Sequence, residues 1–106
     1  AELTDRGEGV YQKNCVACHQ MNGEGLPPIF PALAGSDIVM FDKDRNVEIL
    51  MEGVQGAAMQ SFANQLSEVD MAAVITYTRQ AWGNAENGDG EYVVPSDIVE
   101  YKKPKI

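Results

Sequence analysis

Residues 15–19 read Cys15-Val16-Ala17-Cys18-His19, and nothing else in the chain constrains its fold as strongly. In the pattern Cys-x-x-Cys-His, two thiols add to the vinyl groups of a porphyrin and the adjacent imidazole becomes an axial ligand to its iron. On a helical turn, residues three apart share a face, so Cys15 and Cys18 project to one side and His19 follows directly beneath the ring they would hold. These are the two cysteines and the one histidine of the chain. Three plainer uses of the same residues fit less well. A structural zinc site wants four ligands, usually in two separated pairs, and no second pair exists. A redox dithiol of the thioredoxin kind sits at the end of a strand in a βαβ unit, whereas residues 1–14 read as helix. A disulfide closing so short a loop would stabilise little. One covalently attached haem c is therefore the expected cofactor.

A chain of 106 residues makes one domain with only a modest core, and a haem would give it a large apolar plate to fold around. No apolar run reaches the roughly 18 residues of a membrane span, and Ala1-Glu2-Leu3-Thr4 reads as a processed or excised start. The balance of 16 carboxylates against 8 basic side chains argues against nucleic acid as a partner. The charge is unevenly spread. Between Asn14 and Ser36 only Glu24 is charged, His19 aside, and Gly53 to Ser67 carries none, while acid collects in residues 37–52 and 86–100.

Along the chain, Thr4 is placed as the cap of a first helix, with Asp5 favourably in its first turn. Gly7, Val10, Tyr11, Cys15 and Cys18 recur at helical spacing. A glycine inside a helix costs about 1 kcal/mol relative to alanine, so Gly7 is expected where another backbone comes close. Residues 20–36 read as loop because Gly23, Gly25, Pro27, Pro28, Pro31 and Gly35 interrupt any regular element. A second helix is expected over 44–52, capped by Asp44 and closed by Gly53, with Val47, Leu50, Met51 and Val54 as its apolar stripe. Residues 53–66 are again irregular. Ser67-Glu68-Val69-Asp70 opens a third helix with a variant of the capping box. Met71, Val74, Ile75, Thr78 and Trp82, widened by Tyr77 and Ala81, form its buried face, and Gly83-Asn84 ends it. Beyond lie a turn, Asn87-Gly88-Asp89-Gly90, and an expected extended tail through Pro95 to Lys105. The division is a haem-binding domain over 1–83 with 84–106 as its C-terminal extension.

The second axial position must be filled from elsewhere in the chain or stay open, and with no other histidine the candidates are the five methionines. Met21 is too near His19 to reach the opposite face. Met51 and Met71 fall on helical stripes, where methionine is more often core filler, and Met40 adjoins an acidic segment. Met59 lies in a charge-free loop of small residues, 56–62, that can drape over a flat ring, and it is the expected ligand. A soft thioether favours reduced iron and raises the potential, which suits holding and passing one electron.

With these residues in hand, the chain resembles class I cytochromes c from about Thr4 to Gly83. The resemblance is carried by Cys15-x-x-Cys18-His19, Pro31-Ala32-Leu33-Ala34-Gly35, Ala58-Met59 and a capped C-terminal helix bearing an aromatic. It implies an all-α fold of three to four helices wrapped on one haem, with the terminal helices crossing near Gly7, Tyr11 and Tyr77. It also implies that the Pro31 carbonyl accepts the His19 Nδ1 proton. Residues 65–84, with Gly25-Leu26-Pro27 and Phe30-Pro31-Ala32-Leu33, are most similar to the haem-c domain fused to subunit II of bacterial haem–copper oxidases. That likeness implies a redox donor and an oxidase copper domain as partners, on the periplasmic side of the inner membrane, with a tether through a missing N-terminal region. No copper-site residues are present, and the family's proline after the ligand methionine is here Gln60. Two functions remain open at this point. One is an electron carrier, tethered to an oxidase or free in the periplasm and serving another reductase. The other is a haem sensor or small catalyst whose methionine dissociates. Docking is expected through a neutral patch of Val16, Ala17, Leu26, Pro27, Ile29, Ala57 and Ala58.

Overall fold

The computed structural model describes residues 2–27, 29–57 and 59–102. Among these, seven helical segments follow one another: α1 (Glu2–Asn14), α2 (Val16–His19), α3 (Asp37–Phe41), α4 (Lys43–Glu52), α5 (Glu68–Gln80), α6 (Asn84–Asn87) and α7 (Pro95–Lys102). No strand is present among the described residues beyond an isolated bridge between Leu26 and Phe30. The chain is all-α, with more helical segments than the three to four expected, because several short turns of helix close the irregular stretches.

The fold is organised by the crossing of α1 and α5, its largest helix–helix contact. Residues 71–76 of α5 are all buried, as befits a helix surrounded by other elements. Gly7 is buried where α1 meets it. A Cβ added there would lie 2.6 Å from the Ala73 carbonyl carbon and 2.7 Å from Tyr77 Cβ, so the close approach expected at Gly7 is present. Beside it the rings of Tyr11, Tyr77 and Trp82 meet one another at centroid distances of 5.3–5.7 Å, a separation favourable for aromatic pairs. The Ser67 hydroxyl caps α5 by accepting from the Asp70 N–H at 3.1 Å.

Four expectations need correction. Helix α1 already runs at Glu2, so Thr4 lies inside its first turn and is not its cap. The cap of α4 is Asp42, whose carboxylate accepts from the Arg45 N–H at 3.0 Å, two residues before Asp44; Asp42 also closes α3, which was unforeseen. Trp82 does not extend the stripe of α5. That helix ends at Gln80, and Trp82 adopts a left-handed φ of 57°, which swings its ring back against Tyr11. The tail is not extended either. Pro95 opens α7, since proline suits the first helical position, where its missing N–H and fixed φ cost nothing. Ile98 of α7 and Val93 before it are fully buried. Residues 103–105, the end of the expected tail, lie outside the described residues.

Two buried polar side chains hold this C-terminal part in place. The Thr76 hydroxyl donates to the Val93 carbonyl at 2.8 Å and accepts from its N–H at 2.9 Å. The Arg79 guanidinium, 1% exposed, donates to the carbonyls of Glu91 at 2.9 Å and Val39 at 2.8 Å and pairs with the Asp89 carboxylate. Burial pushes the Asp89 carboxyl up, but the Glu91 N–H and Arg79 outweigh it and hold the group below its ordinary value.

Candidate functional site

A cleft of about 350 Å³ lies between the loop 20–36, helices α3, α4 and α5, and the loop 53–66. That volume falls in the range of small-molecule and cofactor sites. Its walls are apolar: Val39 from α3, Leu50 from α4, Val74 and Ile75 from α5, and Phe62 from the second loop are all buried and all line it. None of the described residues lining it is Asp, Glu, Lys or Arg.

Cys15, Cys18 and His19 enter this cleft together, on the turn where α1 passes into α2. The helical hydrogen-bond pattern continues through that turn, with the N–H groups of Cys15 and His19 donating to Tyr11 and Cys15 carbonyls at 2.9 Å each. Burial pushes the Cys15 thiol up to about 11, with the neighbouring Cys18 adding to the rise; the two cysteines form no disulfide. Directly after His19, Gln20 takes a left-handed φ of 67° and turns the chain back. Its carbonyl is held by the Tyr11 hydroxyl at 2.6 Å. The ring packing of Tyr11 at the helix crossing therefore also anchors the residue next to the imidazole.

The His19 imidazole Nδ1 lies 3.1 Å from the Pro31 carbonyl oxygen. Gly25 makes room for this approach. Its φ is +62°, and a Cβ there would sit 2.7 Å from the Pro31 oxygen. Its N–H donates to the His19 carbonyl at 3.0 Å, so one glycine braces both ends of the pair. Trp82 secures the same loop, donating from Nε1 to the Met21 carbonyl at 3.0 Å.

Of the five methionines, Met59 alone is among the described residues lining the cleft. Met21 is 57% exposed, Met71 is fully buried in α5, and Met40 is buried in α3 beneath Gly88. Met51 is half-buried against the core. Met59 is also half-buried, and its carbonyl accepts from the Val54 N–H at 2.9 Å. Gly53, expected only to end a helix, has a second use: a Cβ on it would come within 2.9 Å of the Met59 carbonyl oxygen, so the loop bearing Met59 can fold flat against the end of α4. Ala58, part of the quoted resemblance and of the expected docking patch, lies outside the described residues, as does Pro28.

An apolar, uncharged cleft with two thiols and an imidazole on one turn and a thioether on another segment has the donor set that a covalently bound haem requires. Fold and site together define a small helical haem protein of the c type. The chain belongs to the cytochrome c family: its residues 2–77 match the family described as cytochrome c oxidase, cbb3-type, subunit III. It is 36% identical to cytochrome c-552 of Thermus thermophilus over 92% of this chain and 82% of that one. It is 34% identical to the cytochrome c subunit of the quinone alcohol dehydrogenase of Gluconobacter oxydans, over 91% of this chain but 22% of that longer protein. Cytochrome c-554(548) of Halomonas halodenitrificans is 34% identical over 59% of this chain and 78% of its own length. The cofactor is haem c, covalently bound, and the chemistry is electron transfer.

Sequence reasoning missed three residues that shape the cleft. Arg79, Asn84 and Gly25 act through backbone groups of Val39, Leu33, Gly35 and Pro31. Gly25 was visible as a glycine among prolines; nothing in the local pattern of Arg79 or Asn84 signals burial.

Proposed function

We propose that this chain is a one-electron carrier in which Cys15 and Cys18 would hold the haem covalently, His19 and Met59 would ligate its iron, and the Pro31 carbonyl would fix the His19 tautomer. The observation that carries this reading is that all five residues line one uncharged cleft. When bound, the haem supplies a one-electron iron couple. Pro31 keeps the proton on Nδ1 so that Nε2 faces the metal. The Met59 thioether would favour the reduced metal. The apolar walls exclude water, so little solvent must reorganise when the charge changes.

The expected acceptor is the copper centre of a terminal oxidase, on the extracytoplasmic side of a bacterial inner membrane. The similarity of residues 65–84 to oxidase subunit II haem domains supports this. A second reading, supported by the dehydrogenase subunits among the relatives, gives the chain a quinone-linked dehydrogenase as donor and a different acceptor. No helix among the described residues is long and apolar enough to cross a membrane. Docking through the exposed Leu26, Pro27, Ile29 and Ala57 is supported by a cleft lining that holds no Asp, Glu, Lys or Arg among the described residues. Acid gathers elsewhere: Asp42, Asp44, Glu48, Asp97 and Glu100 line a groove between α4 and α7.

Denaturing mass spectrometry and a reduced visible spectrum with and without carbon monoxide test the carrier reading. The polypeptide should be heavier by one haem with no free thiols, and its spectrum should not respond readily to the gas. Rapid gas binding by the wild-type protein would point to a sensor or catalyst. Electron transfer to an oxidase should depend only weakly on ionic strength, because screening acts on charges near the contact.

A further inference from the structure

Asn84 is 1% exposed and uses its whole carboxamide on backbone. Its Nδ2 donates to the Leu33 carbonyl at 3.1 Å and to the Thr78 carbonyl at 2.8 Å. Its Oδ1 accepts from the Gly35 N–H at 2.9 Å. One side chain thus ties the loop after Pro31 to the end of α5. The chain goes to some length to put it there. Trp82 and Gly83 are both left-handed, with φ of 57° and 82°, and such a conformation is strained for tryptophan. The turn they make brings the Asn84 N–H onto the Ala81 carbonyl at 2.8 Å and points the residue back under α5.

We propose that Asn84 is a positioning residue for the iron ligand, acting through the Pro31 carbonyl; the proposal rests on the reading of His19 as that ligand. Pro31 sits in a short span held at both ends. Upstream, Leu26 and Phe30 exchange N–H···O bonds at 2.7 and 3.0 Å. Downstream, the N–H groups of Leu33 and Ala34 both donate to the Gly23 carbonyl, at 2.7 and 3.0 Å. Those bonds tie the loop only to itself. Asn84 references it to α5, whose Thr78, Val74 and Ile75 form a wall of the same cleft. With that tie, the direction of the Pro31 carbonyl is fixed relative to the site. A ligand imidazole that donates its outer proton to a fixed carbonyl keeps its ring orientation and becomes a stronger base toward the metal. Loosening the carbonyl weakens that donation, favours reduced over oxidised iron and raises the potential.

The test compares holoprotein variants with a control of similar burial. Thr76→Val also removes two hydrogen bonds from a fully buried side chain, but those hold Val93 and not the loop. In the reduced, diamagnetic protein, NMR reads the exchange of the His19 Nδ1 proton with solvent. Asn84→Ala should speed that exchange at least tenfold relative to Thr76→Val at matched loss of stability, and should raise the potential. Asn84→Ser fits the buried site and keeps one uncharged hydroxyl in place of the carboxamide, so it should fall between Asn84→Ala and the wild type; it carries the comparison if Asn84→Ala does not fold. Equal exchange rates and potentials in the Asn84 variants and Thr76→Val would overturn the proposal. A wild-type protein lacking any slowly exchanging His19 Nδ1 proton would instead contradict the ligand reading itself, a result distinct from a variant that retains that proton unchanged.

Discussion

The two sides of the cleft are built differently. The His19 side is braced from three elements: α1 through the Tyr11 hydroxyl, the turn after α5 through Trp82 and Asn84, and its own loop through Gly25 and the Leu26–Phe30 bridge. Among the described residues, the hydrogen bonds that hold the Met59 side run to what lies just before it in sequence. Val54 donates to the Met59 carbonyl, the Ser61 hydroxyl to the Met51 carbonyl, and the Phe62 N–H to the Leu50 carbonyl. All three ties end within residues 50–54. A side fixed by distant elements can loosen only with the fold; a side fixed by its neighbours can open locally. Gln60 in place of proline leaves the second loop without a rigid residue after Met59.

The largest effect expected from this difference is at Gly25. Alanine there meets a left-handed φ and the Pro31 carbonyl at once, and the two penalties together come to about 2–5 kcal/mol. On the other side, Gly56 has φ +81° but nothing within 4 Å of an added Cβ, so Gly56→Ala should cost only the conformational strain of about 1 kcal/mol. Denaturant midpoints of the pair sharpen the comparison; equal losses would break it.

An intermediate effect is expected at Gly7, which seats the helix that leads into the turn of Cys15 and Cys18. A Cβ pressed against Ala73 and Tyr77 should destabilise by about 1–3 kcal/mol. On an exposed helical face the same change stabilises by about 0.5–1 kcal/mol, so the sign of the shift in midpoint decides.

The smallest effect concerns the Val39 wall that Arg79 supports. The Asp89 carboxyl lies below its ordinary value in the fold, so its contribution is complete above the unfolded value and is lost as pH falls through the folded one. Stability measured from neutral pH into acid should fall less steeply in Asp89→Asn than in the wild type. Its exposed position makes the difference modest, and identical slopes would remove Asp89 from the account.

What could be read from sequence follows the range of the interaction. The turn bearing Cys15, Cys18 and His19, the Ser67 cap and the Gly7 crossing are written in local spacing or in one residue that tolerates no side chain. Arg79 and Asn84 look like an ordinary surface cation and an ordinary helix stop. Their partners in the cleft region, Val39 and Leu33, lie 40 and 51 residues away, and only the closed fold makes them buried. Helix α7 was hidden for another reason. It is short, buries Ile98 alone, and begins with a proline, which reads as a breaker unless its position at the helix start is known. Met59 stands out in the sequence by the charge-free, small-residue loop around it, and in the structure no other methionine lines the cleft.

The central claim is that Met59 completes the iron site. The weak far-red sulfur-to-iron absorption of the oxidised protein tests it most directly, compared between Met59→Ala and Met51→Ala. Met59→Ala should abolish the band, open the site to carbon monoxide and lower the potential. Met51→Ala should cost stability by up to about 2–5 kcal/mol, less for its partial exposure, and leave the band in place. A band that survives in Met59→Ala and vanishes in Met51→Ala would contradict the account.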